Sequence, residues 1–199
     1  MKKIILLGGG GHAVSCIDLL SNSKEFKIAG YVALSENKNL NLKYLGKDSN
    51  LINIKNKYSF ALIAIGQIKN SILRESKYKL LKKYNFILPN IFSNISYISK
   101  NIKIGECNTI FHHAIINSNC LIGNNNIINS KTLIEHNVRL GNNNHLSTSA
   151  IINGNCKIGN NNFIGSGAII NNDIKIGNNC IIASGSLVKK DINDFAKIQ

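Results

Sequence analysis

The chain has 199 residues, 44% of them hydrophobic, and a formal net charge of +14 at neutral pH. A mean hydropathy of −0.01 reads as a water-soluble globular protein with two small domains, and no segment approaches the roughly 20 apolar residues that a membrane-crossing helix needs. The positive charge raises nucleic acid as a partner, yet the lysines are scattered among asparagine and isoleucine with few aromatic residues to stack on bases, so nucleic-acid binding is set aside.

The first elements alternate. KKIILL (residues 2–7) is a strand whose apolar run stops after four residues at Gly8-Gly9-Gly10-Gly11, short of the core of a secretion signal, so a cytoplasmic protein is expected. His12 to about Ser23 follows as a helix, FKIAGYVAL (26–34) as a strand, and Asp48 to about Asn56 as a short helix after an Asn- and Lys-rich loop. SFALIAIG (59–66) is a buried strand and Lys69 to Lys83 a helix. FILPNI (86–91), with the only proline at Pro89, closes the region. Strands alternating with helices predict a small parallel α/β sheet of Rossmann-like type over residues 1–91.

Gly8 to Ala13 fits G-x-G-x-x-A between a strand and a helix, which lets backbone approach a phosphate at the helix N-terminus; the alternative is a tight turn that merely packs. A redox dinucleotide fits less well. About 90 residues make only one half of the usual double unit, and the second strand ends in Ala33-Leu34-Ser35 without an acidic ribose ligand.

From Ile98 to Val188 every sixth residue is Ile, Leu or Val without a missed step. Four residues after these the chain tends to hold something small or modestly apolar, as at Ala114, Cys120, Thr132, Val138, Ala150, Cys156 and Cys180. The residue just after is often Gly or Asn, as at Gly105, Gly123, Gly141, Gly159, Gly165 and Gly177. A period of six suits a short strand plus a turn, with Gly and Asn taking the tight backbone angles. Three units make a triangular coil of eighteen residues, and residues 92–199 are expected to form a parallel β-helix of about five coils. The five cysteines are odd in number and show no C-x-x-C spacing, and three of them (Cys120, Cys156, Cys180) occupy the small interior slot, so free buried thiols are expected.

Two positions after inward Ile134, His136 falls at a corner and should be exposed, where a neutral imidazole can accept a proton from an attacking amine or hydroxyl. Glu135 or Asn137 could orient it, and Gly154, eighteen residues on, stacks over it and leaves room for a ligand chain. His145 is half a coil further, so the two histidines share a cleft only if neighbouring prisms pack side by side, which makes a cyclic homotrimer the natural assembly. His112 and His113 also lie off the inward positions, but no close histidine pair or acidic cluster accompanies them, and no metal is expected.

Taken in order, KIILLGGGGHA, SFALIAIGQIKN, IIN (127–129), IEH (134–136), NHLS (144–147) and the hexapeptides resemble the sugar O-acyltransferase family, typified by sialic acid O-acetyltransferases and by N-acetyltransferases of UDP-4-amino-sugars. The resemblance covers nearly the full length. It implies a left-handed β-helix that binds acetyl-CoA, an N-terminal domain that binds a nucleotide-sugar or sialic-acid-like substrate, and homotrimers with sites between subunits. The activity implied is acetyl transfer for surface-glycan synthesis, with His136 as general base assisted by Glu135 and Asn137. His145, Gly154, Gly165 and Ser184 are expected along the acetyl-CoA channel, and Gly9, Gly10, Gly11, His12, Gly66 and Asn129 on the substrate side. The family has an acidic residue where this chain has Asn137, and an acidic pair where it has Ala33-Leu34-Ser35-Glu36. A non-catalytic sugar-nucleotide-binding or scaffold subunit is the alternative that these departures suggest.

Overall fold

The computed structural model describes all 199 residues. The chain divides into two compact units, one of residues Met1–Gly66 and Ile72–Pro89, the other of Gln67–Ser71 and Asn90–Gln199. No helix is long and apolar enough to cross a membrane.

In the first unit β1 (Lys2–Leu7), β2 (Phe26–Val32), β3 (Tyr44–Gly46) and β4 (Phe60–Ile63) form one parallel sheet in the order β3-β2-β1-β4. Ile4 to Leu7 and Ala61 to Ile63 are buried, the continuous apolar runs of a sheet covered on both faces. Between β1 and β2, α1 (Gly11–Ser21) buries Ala13, Cys16, Leu19 and Leu20, a helical spacing, and packs along β2. After β3 come a 3-10 turn at Asp48–Asn50 and the short α2 (Leu51–Lys55), and α3 (Ile72–Lys83) packs along β4.

Three details depart from the sequence reading. The second strand ends at Val32, not Leu34, which is 84% exposed. β3 was not foreseen in the Asn- and Lys-rich loop; Gly30 (φ +150°) admits it, because a Cβ there would sit 2.4 Å from the Lys43 carbonyl oxygen. The last helix begins at Ile72 rather than Lys69. It buries Arg74 completely, whose Nη1 donates to the carbonyls of Ile63 and Ile65, each at 2.8 Å.

The second unit holds eighteen two-residue strands, from Ile91–Phe92 to Lys197–Ile198, in three parallel sheets of five, six and seven strands. Partners lie one coil apart, so Leu133-Ile134 pairs with Ile115-Ile116 on one side and Ile151-Ile152 on the other. The inward residues form one continuous column with Ile110, Ile128, Ile134, Leu146, Ile152, Ile164 and Ile182 wholly buried, and Ala114, Cys120, Val138, Ala150 and Cys156 fill the small slots beside it. Burying each such aliphatic side chain contributes about 1.5–3 kcal/mol.

The corners divide the work between Asn and Gly differently from the expectation. Three residues after the inward positions from Ile104 to Ile182 the backbone is left-handed, and Asn119, Asn125, Asn137, Asn143, Asn155, Asn161 and Asn179 sit there with φ between 56° and 64°. Asparagine tolerates that region better than other residues with a Cβ. The glycines just after the inward residue do not have positive φ; they are required by close stacking, since a Cβ on Gly141 would lie 2.5 Å from the carbonyl oxygen of Gly159. Beside them runs a buried ladder of Asn108, Asn126, Asn144 and Asn162. The Asn126 amide donates to the Gly141 carbonyl at 2.9 Å and its Oδ1 accepts the Asn144 backbone N–H at 2.8 Å.

The strict period ends after Val188. The last coil is two residues shorter, with Ile192 bridging Ile176 and Ile198 pairing with Ile182. Asp194 accepts the Asn178 backbone N–H at 2.8 Å, where a full coil brings an asparagine, and Asp191 accepts that of Lys175 at 2.8 Å, where a full coil brings a backbone carbonyl.

Candidate active site

Each sheet of the β-helix presents one outward column. On the five-stranded sheet it is Lys103, Leu121, Arg139, Lys157 and Lys175; on the six-stranded sheet Tyr97, Ile115, Leu133, Ile151, Ile169 and Leu187; on the seven-stranded sheet it includes Thr109, Ile127, His145 and Phe163. The basic column borders an open groove of about 1130 Å³ that is lined by lysines, Arg139, Asp191 and Asp194 and contains no histidine or thiol.

His136 stands at the corner where the six-stranded sheet turns into the five-stranded one, and it is exposed. The Asn137 amide nitrogen lies 3.1 Å from its Nδ1 and also donates to Asn155 Oδ1 at 3.0 Å. The ring lies over Gly154, where an added Cβ would be 2.7 Å from Cε1 and 2.9 Å from Nε2. Of the two residues that could orient the ring, Asn137 touches it. Glu135 turns to the preceding coil, accepting from the Asn117 amide at 2.9 Å and from the His136 backbone N–H at 3.4 Å.

The other expected donor-side residues lie elsewhere in the chain. His145 is 7% exposed, with its Nδ1 2.6 Å from the carbonyl oxygen of Gln67 and its ring edge-on to Phe163. Gln67 in turn donates to the Asn143 carbonyl at 2.6 Å, so the 67–71 segment covers this histidine. Asn129, Gly165 and Ser184 occupy a different corner, between the seven- and six-stranded sheets. Asn129 Oδ1 accepts its neighbour Ser130 N–H at 2.8 Å, and a Cβ on Gly165 would lie 2.5 Å from Ser184 N. A single chain therefore holds His136 with Gly154 on one corner, Asn129, Gly165 and Ser184 on a second, and His145 under a covering segment.

In the first unit a cleft of about 560 Å³ opens beside Gly8, Gly9 and Gly10. Gly11 and His12 are not in its wall; Gly11 opens α1, and the His12 side chain packs against Gly66. The opposite wall was not anticipated. Leu34 to Lys38 fold over the glycine turn, held by Asn37, whose amide donates to the Gly9 carbonyl at 2.8 Å and whose backbone N–H donates to the Tyr31 hydroxyl at 2.7 Å. Glu36 and Lys38 line this wall, as do Asp48 and Lys77, which form an ion pair. Their signal in the sequence was weak: Glu36 comes four residues past the strand end, and Lys77 is one lysine among many on α3.

In four of the five cysteines burial disfavours the thiolate. Burial pushes Cys16 up to about 12, against a downward pull from Arg74, and burial likewise raises Cys120, Cys156 and Cys180. No group of three His, Cys, Asp or Glu side chains converges as a metal-ligand set.

Residues 3–81 match the PglD N-terminal domain family, and residues 155–190 the bacterial transferase hexapeptide family of six repeats. Among solved structures, a variant of perosamine N-acetyltransferase from Caulobacter crescentus, in complex with CoA and GDP-perosamine, is 26% identical. The match covers 98% of this chain and 91% of that one, with a TM-score of 0.90. The acetyltransferase domain of PglB from Neisseria gonorrhoeae, in complex with acetyl coenzyme A, is 21% identical over 98% of this chain and 95% of that one (TM-score 0.88). WeeI from Acinetobacter baumannii is 22% identical over 99% and 96% (TM-score 0.84). The latter two speak to the fold. No curated protein matches the sequence. The chain thus carries a PglD-type N-terminal domain followed by a parallel β-helix of bacterial transferase hexapeptides, in the fold of the perosamine N-acetyltransferase.

Proposed function

We propose that the protein transfers an acetyl group from acetyl-CoA to an amino or hydroxyl group of a nucleotide-activated sugar, with His136 as general base. It would work in the cytoplasm as a homotrimer supplying surface-glycan synthesis. The observation that carries this reading is the exposed imidazole of His136 lying over the bare backbone of Gly154. The perosamine enzyme, 26% identical and bound to CoA and GDP-perosamine, supports a CoA thioester as donor and a nucleotide-sugar as acceptor.

In the reaction the sugar nitrogen or oxygen attacks the thioester carbon while its proton passes to His136. A backbone N–H stabilises the oxyanion, and the C–S bond breaks to release the CoA thiolate, which recovers the proton from the imidazolium. No covalent enzyme intermediate is needed, and the raised thiols favour that route. The cleft beside Gly8 to Gly10 suits the nucleotide diphosphate, with Lys38 and Lys77 as cations and Glu36 and Asn37 as polar groups for the nucleoside.

The aliphatic outward column of the six-stranded sheet supports the trimer. Its Tyr97, Ile115 and Leu187 are 59%, 39% and 50% exposed, an apolar strip that a second copy would cover. That strip runs between the two corners that carry the separated site residues. A copy seated on it would bring its own corner beside His136.

Incubating the protein with acetyl-CoA and a panel of UDP-, CMP- and GDP-amino-sugars, while following thiol release, tests the reading. Turnover is expected with at least one member, and His136→Ala should lower it by about 10²–10⁴-fold at an unchanged melting temperature. Sedimentation should give three copies. A folded protein that binds no acetyl-CoA by calorimetry would instead favour the scaffold subunit.

A further inference from the structure

We propose that Asn137 holds the neutral His136 of the free protein in the tautomer with its proton on Nε2, so that the base acts only after the Asn137 and Asn155 amides turn over together. This deepens the reading of His136 as general base and rests on it for its catalytic consequence, but not for the tautomer itself.

An amide nitrogen can only donate. Asn137 Nδ2 spends one N–H on Asn155 Oδ1 at 3.0 Å and faces the other toward His136 Nδ1 at 3.1 Å. The ring nitrogen opposite an N–H must be the acceptor, and a neutral imidazole has one acceptor and one donor, so the proton resides on Nε2. With Nδ1 turned to Asn137, Nε2 is the ring nitrogen that this exposed side chain leaves for an acceptor substrate. In this tautomer it presents an N–H there and cannot take a proton.

The Asn137 amide is not free to turn alone, because its oxygen would then face the oxygen of Asn155. The other charged groups of this corner do not compete. Glu135 is taken up by the Asn117 amide and by the His136 backbone N–H, and Lys189, Lys190 and Asp191 close the corner at its far end. A carboxylate at position 137 would reverse the choice by offering Nδ1 an acceptor, which draws the proton to Nδ1 and leaves the Nε2 lone pair to the substrate. The backbone permits the exchange: Asn137 has φ 61°, and Asp173 already holds φ 64° at the equivalent place two coils on.

Two-bond nitrogen–proton NMR on ¹⁵N-labelled protein, at a pH where the ring is neutral, reads the tautomer directly. Wild type should show the proton on Nε2 and Asn137→Asp should show it on Nδ1. In the same variant kcat/KM for acetyl transfer should rise by about tenfold, equivalent to 1.36 kcal/mol, and its acidic limb should move to higher pH. If Asn137→Asp does not fold, Asn155→Ala serves instead, since it frees the Asn137 amide and should populate both tautomers. A proton on Nδ1 in wild type, or a ring unchanged in both variants, overturns the proposal. Full turnover in His136→Ala with the expected NMR result would instead remove the general-base reading and leave the tautomer assignment standing.

Discussion

Gly154→Ala separates chemistry from stability, because the atoms that the new methyl meets belong to a mobile side chain. The Cβ would lie 2.7 Å from His136 Cε1 and 2.9 Å from its Nε2, with Asn172 Nδ2 next at 3.3 Å. Non-bonded atoms settle at about 3.5–4.0 Å, so the ring must retreat by about 1 Å. His136 and Asn172 are both exposed and can swing aside. Moving the ring costs the Asn137 contact, about 0.5–1.5 kcal/mol. Alanine at a position without positive φ returns about 0.4–1 kcal/mol by restricting the unfolded chain. The two nearly cancel, and the melting temperature should stay within about 4 °C of wild type. Turnover should not survive so well, since a misplacement of about 1 Å at a reacting group costs on the order of 10²-fold. Thiol-release kinetics with a thermal melt on the same sample read both quantities. Gly141→Ala is the contrasting control: its Cβ meets the Gly159 carbonyl oxygen at 2.5 Å, backbone that cannot swing away, so that variant should lose stability. Wild-type turnover in a normally melting Gly154→Ala protein would refute the idea that chemistry happens at this ring, and a collapse of its melting temperature would refute the claim that the ring is what yields.

Asn126→Ala should cost about 2–3 kcal/mol in urea unfolding, because it strips a donor from the buried Gly141 carbonyl and an acceptor from the Asn144 N–H; a loss below about 0.5 kcal/mol would mean that the ladder is ornamental. Cys16 provides a pH test. Its folded value, raised by burial to about 12 from an ordinary 9.0, means that its contribution is whole below about pH 9 and is lost as pH climbs from there toward 12. Wild type should therefore lose stability between pH 9 and 10.5 faster than Cys16→Ala, by up to about 1.4 kcal/mol per pH unit, and equal slopes would contradict the assignment.

The architecture was legible wherever one residue's chemistry repeats. The aliphatic column is a run of single residue types at a fixed period, and the left-handed corners announce themselves as asparagine. What escaped was set by tertiary neighbours. β3 has three residues and no pattern of its own, and exists because Gly30 lets Lys43 approach. Lys77 and Asp48 are 29 positions apart and meet only once α3 packs on the sheet. The shortened last coil left a trace that strict counting passed over, for Ile192 and Ile198 resume the six-residue spacing two positions early.

His136 and His145 show how far such reading extends. Both fall in hexapeptides, but His145 is one residue before an inward position and His136 two after. The first belongs to an outward column with Thr109 and Ile127, which are also buried, and such a column needs a cover; Gln67 supplies it at His145. The second belongs to a corner with an aliphatic face on one side and a cationic face on the other. Reading every eighteenth residue separates those faces before any coordinates are known. A base for acyl transfer needs one flank sealed from water and the other able to hold phosphates, and the corner of His136 is the border at which an aliphatic column and a basic one adjoin. The amide that sets its tautomer is legible as Asn137, but the direction in which that amide points depends on Asn155, one coil away.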